Sequence, residues 1–203
     1  MERDLSTEVK IKEVAKRIFI SKGFNGCTSR EIAKEAGMNV ALVNYYFKSK
    51  GHLFELVISS VLKDFTISLI DVFKSNMSLV NKVKILIEKE YEFLNNHPEI
   101  PNFIINELGK KDKSFFDRLD IATEVHQTNI FLEVEKAQEN GEMRKIDLVS
   151  LMLLIMSNCH FPFMAKPMIQ TINSLENHEY KDHLMIHKQH VTEMIINYLF
   201  PTK

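Results

Sequence analysis

The side chains best suited to do chemistry crowd into one short run, TSREIAKEAGMNVALVNYYFKSKGHL, from Thr28 to Leu53. Asn39, Asn44 and Tyr45 bring amide and phenol groups along one short segment, and Lys48 and Lys50 are adjacent cations just past it. This is the equipment for gripping phosphates and reading base edges. Ala41 and Leu42, between the amides, are of a size that suits thymine methyl groups in a major groove. No phosphate-cradling glycine loop and no nucleophile motif accompanies them.

Further along, His183, His187 and His190 fall at i, i+4 and i+7, with His178 and Glu193 near them. The first two have the spacing of helical zinc ligands, and an alternative function follows: a helical-bundle metal-binding protein or enzyme using that face. No pattern fixes a fourth ligand, and paired Glu-x-x-His segments are missing. Polar positions at a helix start or a dimer rim account for these histidines more simply. Cys159-His160 reads as core rather than as a metal site, so no metal or cofactor is expected.

The elements that must position these residues are helices. Six glycines and five prolines in 203 residues leave long uninterrupted stretches, and β-branched alternation is rare. A first helix is expected from about Ser6 to Lys22, with Ile11, Val14, Ala15, Ile18 and Phe19 on one stripe and Gly23 just past its end. Thr28 with Glu31 matches a capping box, so a short second helix starts there, Ile32, Ala33 and Ala36 facing inward, and Gly37 ends it. Asn39 can cap a third helix from Val40 to Phe47, held by Val43 and Phe47; Ser49 can cap a fourth, from Lys50 towards Lys74. Two short helices joined at Gly37 make a helix-turn-helix. The exposed side of the second is expected to carry Asn39, Val40, Ala41, Leu42, Asn44 and Tyr45.

Residues 11–54 resemble the N-terminal DNA-binding domain of the TetR family of bacterial transcriptional regulators. The likeness rests on Ala15 and Phe19, Gly23-Phe24, Thr28-x-Arg30-x-Ile32-Ala33, Ala36-Gly37, and Val43-x-x-Tyr46-Phe47-Lys48-Ser49-Lys50-x-x-Leu53. Carried over, the resemblance implies that Thr28 and Arg30 touch phosphate or a nearby base. Asn39, Ala41, Leu42, Asn44 and Tyr45 would face the groove, and Tyr46 and Lys50 would hold phosphates, with Lys48 an adjacent cation. Many members carry Lys in place of Val40, Tyr in place of Asn44 and an often acidic pair in place of Gly51-His52. The resemblance further implies a ligand-responsive regulator, commonly a repressor, that binds a palindromic operator as a homodimer.

The expected organisation is therefore all-α: a helix-turn-helix DNA-binding domain over residues 1–52, and a larger helical-bundle effector-binding and dimerisation domain over residues 53–203. Charge is divided the same way. The first 52 residues hold 10 Lys and Arg against 6 Asp and Glu, whereas the whole chain has a net charge of −1. A basic head on an acidic body suits a polyanion partner.

In the body, helices are expected at Leu79–Asn95, Ile100–Lys110, Lys113–Asn140, Asp147 to about Phe161 with bends at Pro162 and Pro167, and about His183–Phe200. Its wealth of Phe and Met suits a pocket for an apolar effector. Candidate lining residues are Phe93, Phe103, Asn106, Phe116, His126, Phe131, Met152, Met156, His160 and Phe163. Dimerisation is expected through the last two helices, on faces carrying Leu148, Leu151, Met152 and Ile155, and Leu184, Val191, Ile195, Tyr198 and Leu199.

Composition excludes several classes. Cys27 and Cys159, far apart, suggest no disulfide framework. The polar N-terminus lacks an apolar signal core, and the most apolar stretch, Leu148–Met156, is too short to cross a bilayer. A reducing, cytoplasmic location with no membrane partner is the expectation.

Overall fold

A computed structural model describes residues 5–109, 125 and 127–201, and every regular element among them is helical. They are α1 (Leu5–Lys22), α2 (Ser29–Glu35), α3 (Val40–Phe47), α4 (Lys50–Lys74), α5 (Leu79–Asn96), α6 (Ile100–Phe103, continuing as a π-helical turn Ile104–Leu108), α7 (Ile130–Glu139), α8 (Leu148–Met164), α9 (Lys166–Asn173) and α10 (Asn177–Leu199).

The chain forms two compact units. The first comprises residues 5–64 with the described residues 102–109; the second comprises residues 65–101 with the described residues from Val125 onward. The expected boundary at residue 52 therefore falls inside the first unit, because Leu53, Phe54, Val57 and Ile58 of α4 belong to the same core as Ile11, Phe19 and Ile32.

In the first unit, the start of each short helix is set by one side chain. Thr28 Oγ1 accepts the Glu31 N–H at 3.1 Å, and Asn39 Oδ1 accepts the Leu42 N–H at 2.8 Å. Each bond satisfies a donor that the first turn leaves without a helical partner. Gly37, at φ +71°, makes the turn between α2 and α3, where the Met38 N–H closes on the Ala33 carbonyl at 2.8 Å. A side chain would be strained there.

In the second unit, α5 lays Val83, Ile87, Tyr91 and Leu94 against Val191, Ile195 and Leu199 of α10 and against Ile155, Cys159 and Phe163 of α8. Two charges, Lys82 and Glu90, interrupt the apolar stripe of α5. Lys82 is 1% exposed, and its ammonium donates to the Phe73 carbonyl at 2.9 Å and to both Glu133 oxygens at 2.8 and 2.6 Å. Phe73 lies at the C-terminal end of α4, so the cation satisfies a carbonyl that the helix cannot. Arg144 does the same for α10: its Nε donates to the Tyr198 carbonyl at 2.9 Å, and its backbone N–H donates to that of Leu199 at 2.7 Å.

Several expectations shift. The expected helix Lys113–Asn140 has, among the described residues, a break at 127–129. There Thr128 Oγ1 donates to the Val125 carbonyl at 2.7 Å, a local bond that competes with helix continuation. The expected Ile100–Lys110 helix is regular for one turn only before it widens into the π-helical turn. Pro162 lies within α8, which ends at Met164; the bend of 59° comes between α8 and α9, with Pro167 in the first turn of α9. The last helix begins at Asn177, six residues before the expected start, because Glu179 accepts the Glu176 N–H at 2.7 Å. A glutamate at the cap is a weaker sequence signal than serine or threonine.

The expected dimer faces also divide. Leu184, Val191, Ile195 and Leu199 are core of their own unit, as is Ile155, and Leu151 packs against that core. The large apolar side chains that stay exposed on α8 are Leu148, Val149, Met152, Leu153 and Phe161, and on α10 Met185, Ile186, Met194 and Tyr198. Among the described residues no single helix is long and apolar enough to cross a membrane; α8 and α9 together pass by length and composition only, across their bend.

The Lys82 site yields a stability prediction. Glu133→Gln leaves a buried ammonium without its counter-charge and is expected to cost about 2 kcal/mol in urea unfolding. Lys82→Met, which removes the charge together with its needs, is expected to cost less. A Glu133→Gln variant as stable as the parent would refute this account.

Candidate nucleic-acid interface

Helix α3 has two sides with different fates. Val43, Tyr46 and Phe47 are buried at 3%, 7% and 1% exposure, and Leu42 and Val40 pack against the same core while half-buried. Asn39, Ala41, Asn44 and Tyr45 are exposed. With 3.6 residues per turn, burying positions 43, 46 and 47 leaves 41, 44 and 45 outward. The Tyr45 ring, 46% exposed, stands edge-on against Tyr46 with centroids 5.5 Å apart.

Around this face, Thr28, Arg30 and Lys48 are exposed. Thr28 already accepts a backbone N–H, which leaves its hydroxyl hydrogen for an outside acceptor. The Asn39 side-chain oxygen is likewise committed to its cap, so its NH2 remains as the group for a partner.

The junction after α3 is tight. Lys48 has φ 61° and ψ −48°, and the Ser49 N–H reaches back to the Phe47 carbonyl at 2.6 Å. That is the geometry of a γ-turn with a left-handed centre, which is strained for a residue with a Cβ. The turn sets how α3 leaves towards α4 and throws the Lys48 side chain into solvent.

Lys50 has a different role from the one the resemblance implies. Its ammonium donates to the Phe24 carbonyl at 2.8 Å and to the Cys27 carbonyl at 2.9 Å, and lies 4.2 Å from the centre of the Phe24 ring. Two of its three hydrogens thus hold the α1–α2 loop to the start of α4. Tyr46 is also mostly out of solvent, so it and Lys50 contribute packing and loop geometry here. Leu42, expected in the groove, is half-turned into the core.

The same loop is held from its other side by Glu107, on the π-helical turn. Glu107 Oε2 accepts the Phe24 N–H at 3.1 Å, and a Cβ at Gly23 would meet Oε1 at 2.5 Å. Sequence reasoning missed Glu107, because 83 residues separate it from Phe24 and no local pattern marks it.

The second unit contains a cavity of about 470 Å³ lined by Phe73, Leu86, Glu90, Phe131, Leu148, Val149, Leu151, Met152, Ile155 and Met156. Of the expected lining residues, Phe131, Met152 and Met156 are here. His160 reaches it indirectly, through a 3.0 Å contact of Nε2 with Glu90 Oε2. Phe93 packs against the second-unit core and the Phe65 ring, and Phe163 is buried in that core against Tyr91. Phe103 is part of the first unit's core, and Asn106 is exposed on the π-helical turn. Phe116 and His126 lie outside the described residues. Glu90 was missed although its signal was present: a carboxylate on the apolar stripe of an amphipathic helix.

The histidine face does not assemble a centre. Among the described residues no three His, Cys, Asp or Glu side chains converge as metal ligands. His183 and His190 are exposed, and half-buried His187 sits edge-on to the Tyr91 ring; burial, then the neighbouring His190, lowers its pKa. Burial likewise raises the Cys27 thiol and pushes that of Cys159 up to about 12, so neither is a ready nucleophile.

Comparison with known proteins bears on this geometry. Residues 11–57 match the family model for bacterial regulatory proteins of the tetR family. A curated relative, the "Probable HTH-type transcriptional regulator YttP" of Bacillus subtilis (strain 168), is 29% identical over 179 residues, 86% of each chain. Among solved structures, a TetR family transcription regulator from Marinobacter aquaeolei VT8 superposes with a TM-score of 0.72 at 15% identity, covering 96% of both chains. The transcriptional regulator FadR from Bacillus subtilis, solved in complex with stearoyl-CoA, superposes with a TM-score of 0.67 at 16% identity, covering 93% of this chain and 97% of that one.

The two neighbouring lysines make a discriminating pair. Lys50→Met is expected to lower the melting temperature of the protein without DNA, since it leaves two carbonyls short of a donor, at about 1–3 kcal/mol. Lys48→Gly, which relieves a left-handed residue, is expected to leave that temperature unchanged or raise it. Equal melting temperatures for Lys50→Met and the parent would remove Lys50 from the fold's support.

Proposed function

We propose that this chain, whose residues 11–57 match the family model for bacterial regulatory proteins of the tetR family, is a DNA-binding transcription regulator of that family rather than an enzyme, and that it represses its targets as a homodimer on a palindromic operator until a small apolar effector releases it. The observation that carries this reading is the outward face of α3, where Ala41, Asn44 and Tyr45 stand clear of the core, flanked by exposed Arg30 and Lys48. A major groove admits a helix of this size; amides read adenine edges, and apolar groups meet thymine methyls. Arg30, Lys48 and Thr28 supply phosphate contacts that fix orientation. Tyr46 and Lys50 act mainly by holding the reading helix and its loop in place.

A two-fold pair is what the operator reading requires. One short helix reads few base pairs, and a symmetric pair reads two half-sites about 34–36 Å apart or a multiple of that. The exposed apolar residues of α8 and α10 are the surfaces for the twin: Val149 and Leu153 are 62% and 56% exposed, Met185 and Met194 both 48%. Isolated exposed apolar residues are ordinary, but a set this concentrated on two helices suits an interface.

The effector site is the 470 Å³ cavity of the second unit, large enough for a small ligand and lined chiefly by carbon. Its adaptable methionines, Met152 and Met156, suit a flexible apolar molecule. Release follows if the effector binds better to a state in which the two reading helices are wrongly spaced, by as much as its affinities for the two states differ.

Selection of bound duplexes from a random pool is expected to return a palindrome, and Asn44→Ala with Tyr45→Ala to abolish the sequence preference. An unchanged preference would overturn the assignment of α3 as reader. Leu153→Glu with Met194→Glu is expected to yield a monomer by light scattering with operator affinity reduced at least about tenfold; a dimer of undiminished affinity would place the interface elsewhere.

A further inference from the structure

The cavity in the second unit is not uniformly apolar. Its surroundings are Leu86, Phe131, Leu151, Met152, Ile155 and Met156, and into this lining α5 inserts Glu90. Glu90 is 7% exposed. Among the described residues its one hydrogen-bonded contact is His160 Nε2, at 3.0 Å from Oε2, and no described side chain bonds the other carboxylate oxygen. A buried carboxylate is costly unless several hydrogen bonds or a counter-charge compensate it.

Apart from His160, the basic groups that border the neighbouring cavities are exposed Lys145 and buried Lys82, and neither belongs to this lining. Lys82 borders a smaller cavity of about 120 Å³, which shares Phe73, Leu86, Phe131, Leu148, Leu151 and Ile155 with the larger one. Its ammonium is already taken by both oxygens of Glu133 and the Phe73 carbonyl. An anionic ligand would therefore enter a site that holds a carboxylate and no uncommitted cation among its described lining. A ligand with a protonated amine would find a hydrogen-bond acceptor of opposite charge set in an apolar wall, where such a pair is stronger than in bulk water.

We propose that this cavity selects an apolar molecule bearing a protonated amine, with Glu90 as the acceptor for its ammonium and His160 as the group that orients the carboxylate. The assignment rests on the reading of this cavity as the effector site, and it names the chemical class of the effector: a lipophilic amine, not a fatty acid. The carbon lining sets affinity for the chain, and Glu90 sets the choice of head group.

Three probes of equal length separate the possibilities: octylammonium, octanol and octanoate, titrated calorimetrically into the intact protein at neutral pH. Octylammonium is expected to bind at least about tenfold tighter than octanol, with octanoate weakest, the size of effect a charge-assisted hydrogen bond supplies. Glu90→Gln, nearly isosteric, is expected to bring octylammonium to within about threefold of octanol and to leave octanol unchanged. Met156→Trp keeps Glu90 but fills the cavity, and is expected to lose all three. If octanol or octanoate binds the parent as tightly as octylammonium, the head-group assignment is wrong while the cavity stands. If all three fail to bind the parent, or bind Met156→Trp undiminished, the effector-site reading falls and takes this assignment with it.

Discussion

One ammonium group holds the DNA-binding head in its working shape. Lys50 Nζ draws the Phe24 and Cys27 carbonyls onto the first turn of α4, with the Phe24 ring against the same cation. The loop it holds decides where Thr28 lies and therefore where α2 begins. Since α2 and α3 are packed through Ile32, Ala33, Val43 and Phe47, the position of the loop fixes α3 as well. A charged donor on two carbonyls is stronger than neutral contacts of the same number. The loop thus gains rigidity without a disulfide, beside the packing of its own Phe24 and Cys27 on the core.

Helix α3 itself is a compromise between being held and being available. Eight residues give it little over two turns, too short to be stable alone. It borrows stability from the core through Val43, Tyr46 and Phe47, and its remaining arc is narrow. Side chains with groups for DNA are in part already used: Asn39 caps its own helix, and Lys50 serves the loop. The strained γ-turn at Lys48 shows the same economy, because it turns the chain sharply enough for α4 to begin two residues later.

In the second unit, buried charge marks the places where geometry is specified. Lys82 closes the end of α4 and ties it to α7 through Glu133, with every donor satisfied. Glu90, two turns along α5, is only partly satisfied and faces the cavity. The contrast separates a charge that supports the fold from one held for another partner, since an incompletely paired buried carboxylate is costly to retain for packing alone. Lipid-like neutrality of the remaining lining makes that one polar group decisive for what the cavity accepts.

Local chemistry was legible in the sequence. Caps at Thr28, Asn39 and Asp147, glycine stops at Gly23, Gly37 and Gly141, and the apolar stripe of α1 act within a few residues, so residue order alone placed those helices and the helix-turn-helix. The arc of α3 that faces outward followed from its periodicity for Asn44 and Tyr45. Tertiary packing decided the rest. Lys50 turned to carbonyls 23 and 26 residues away, Glu107 reached Phe24 across 83 residues, and Glu90 met His160 across 70. Which apolar residues of α8 and α10 became core and which stayed exposed also depended on how those helices rotated against α5. An apolar side chain carries no mark of the partner it will meet, and a long charged one can reach in several directions. The sequence determines that such groups must be satisfied, and only the folded chain determines by what.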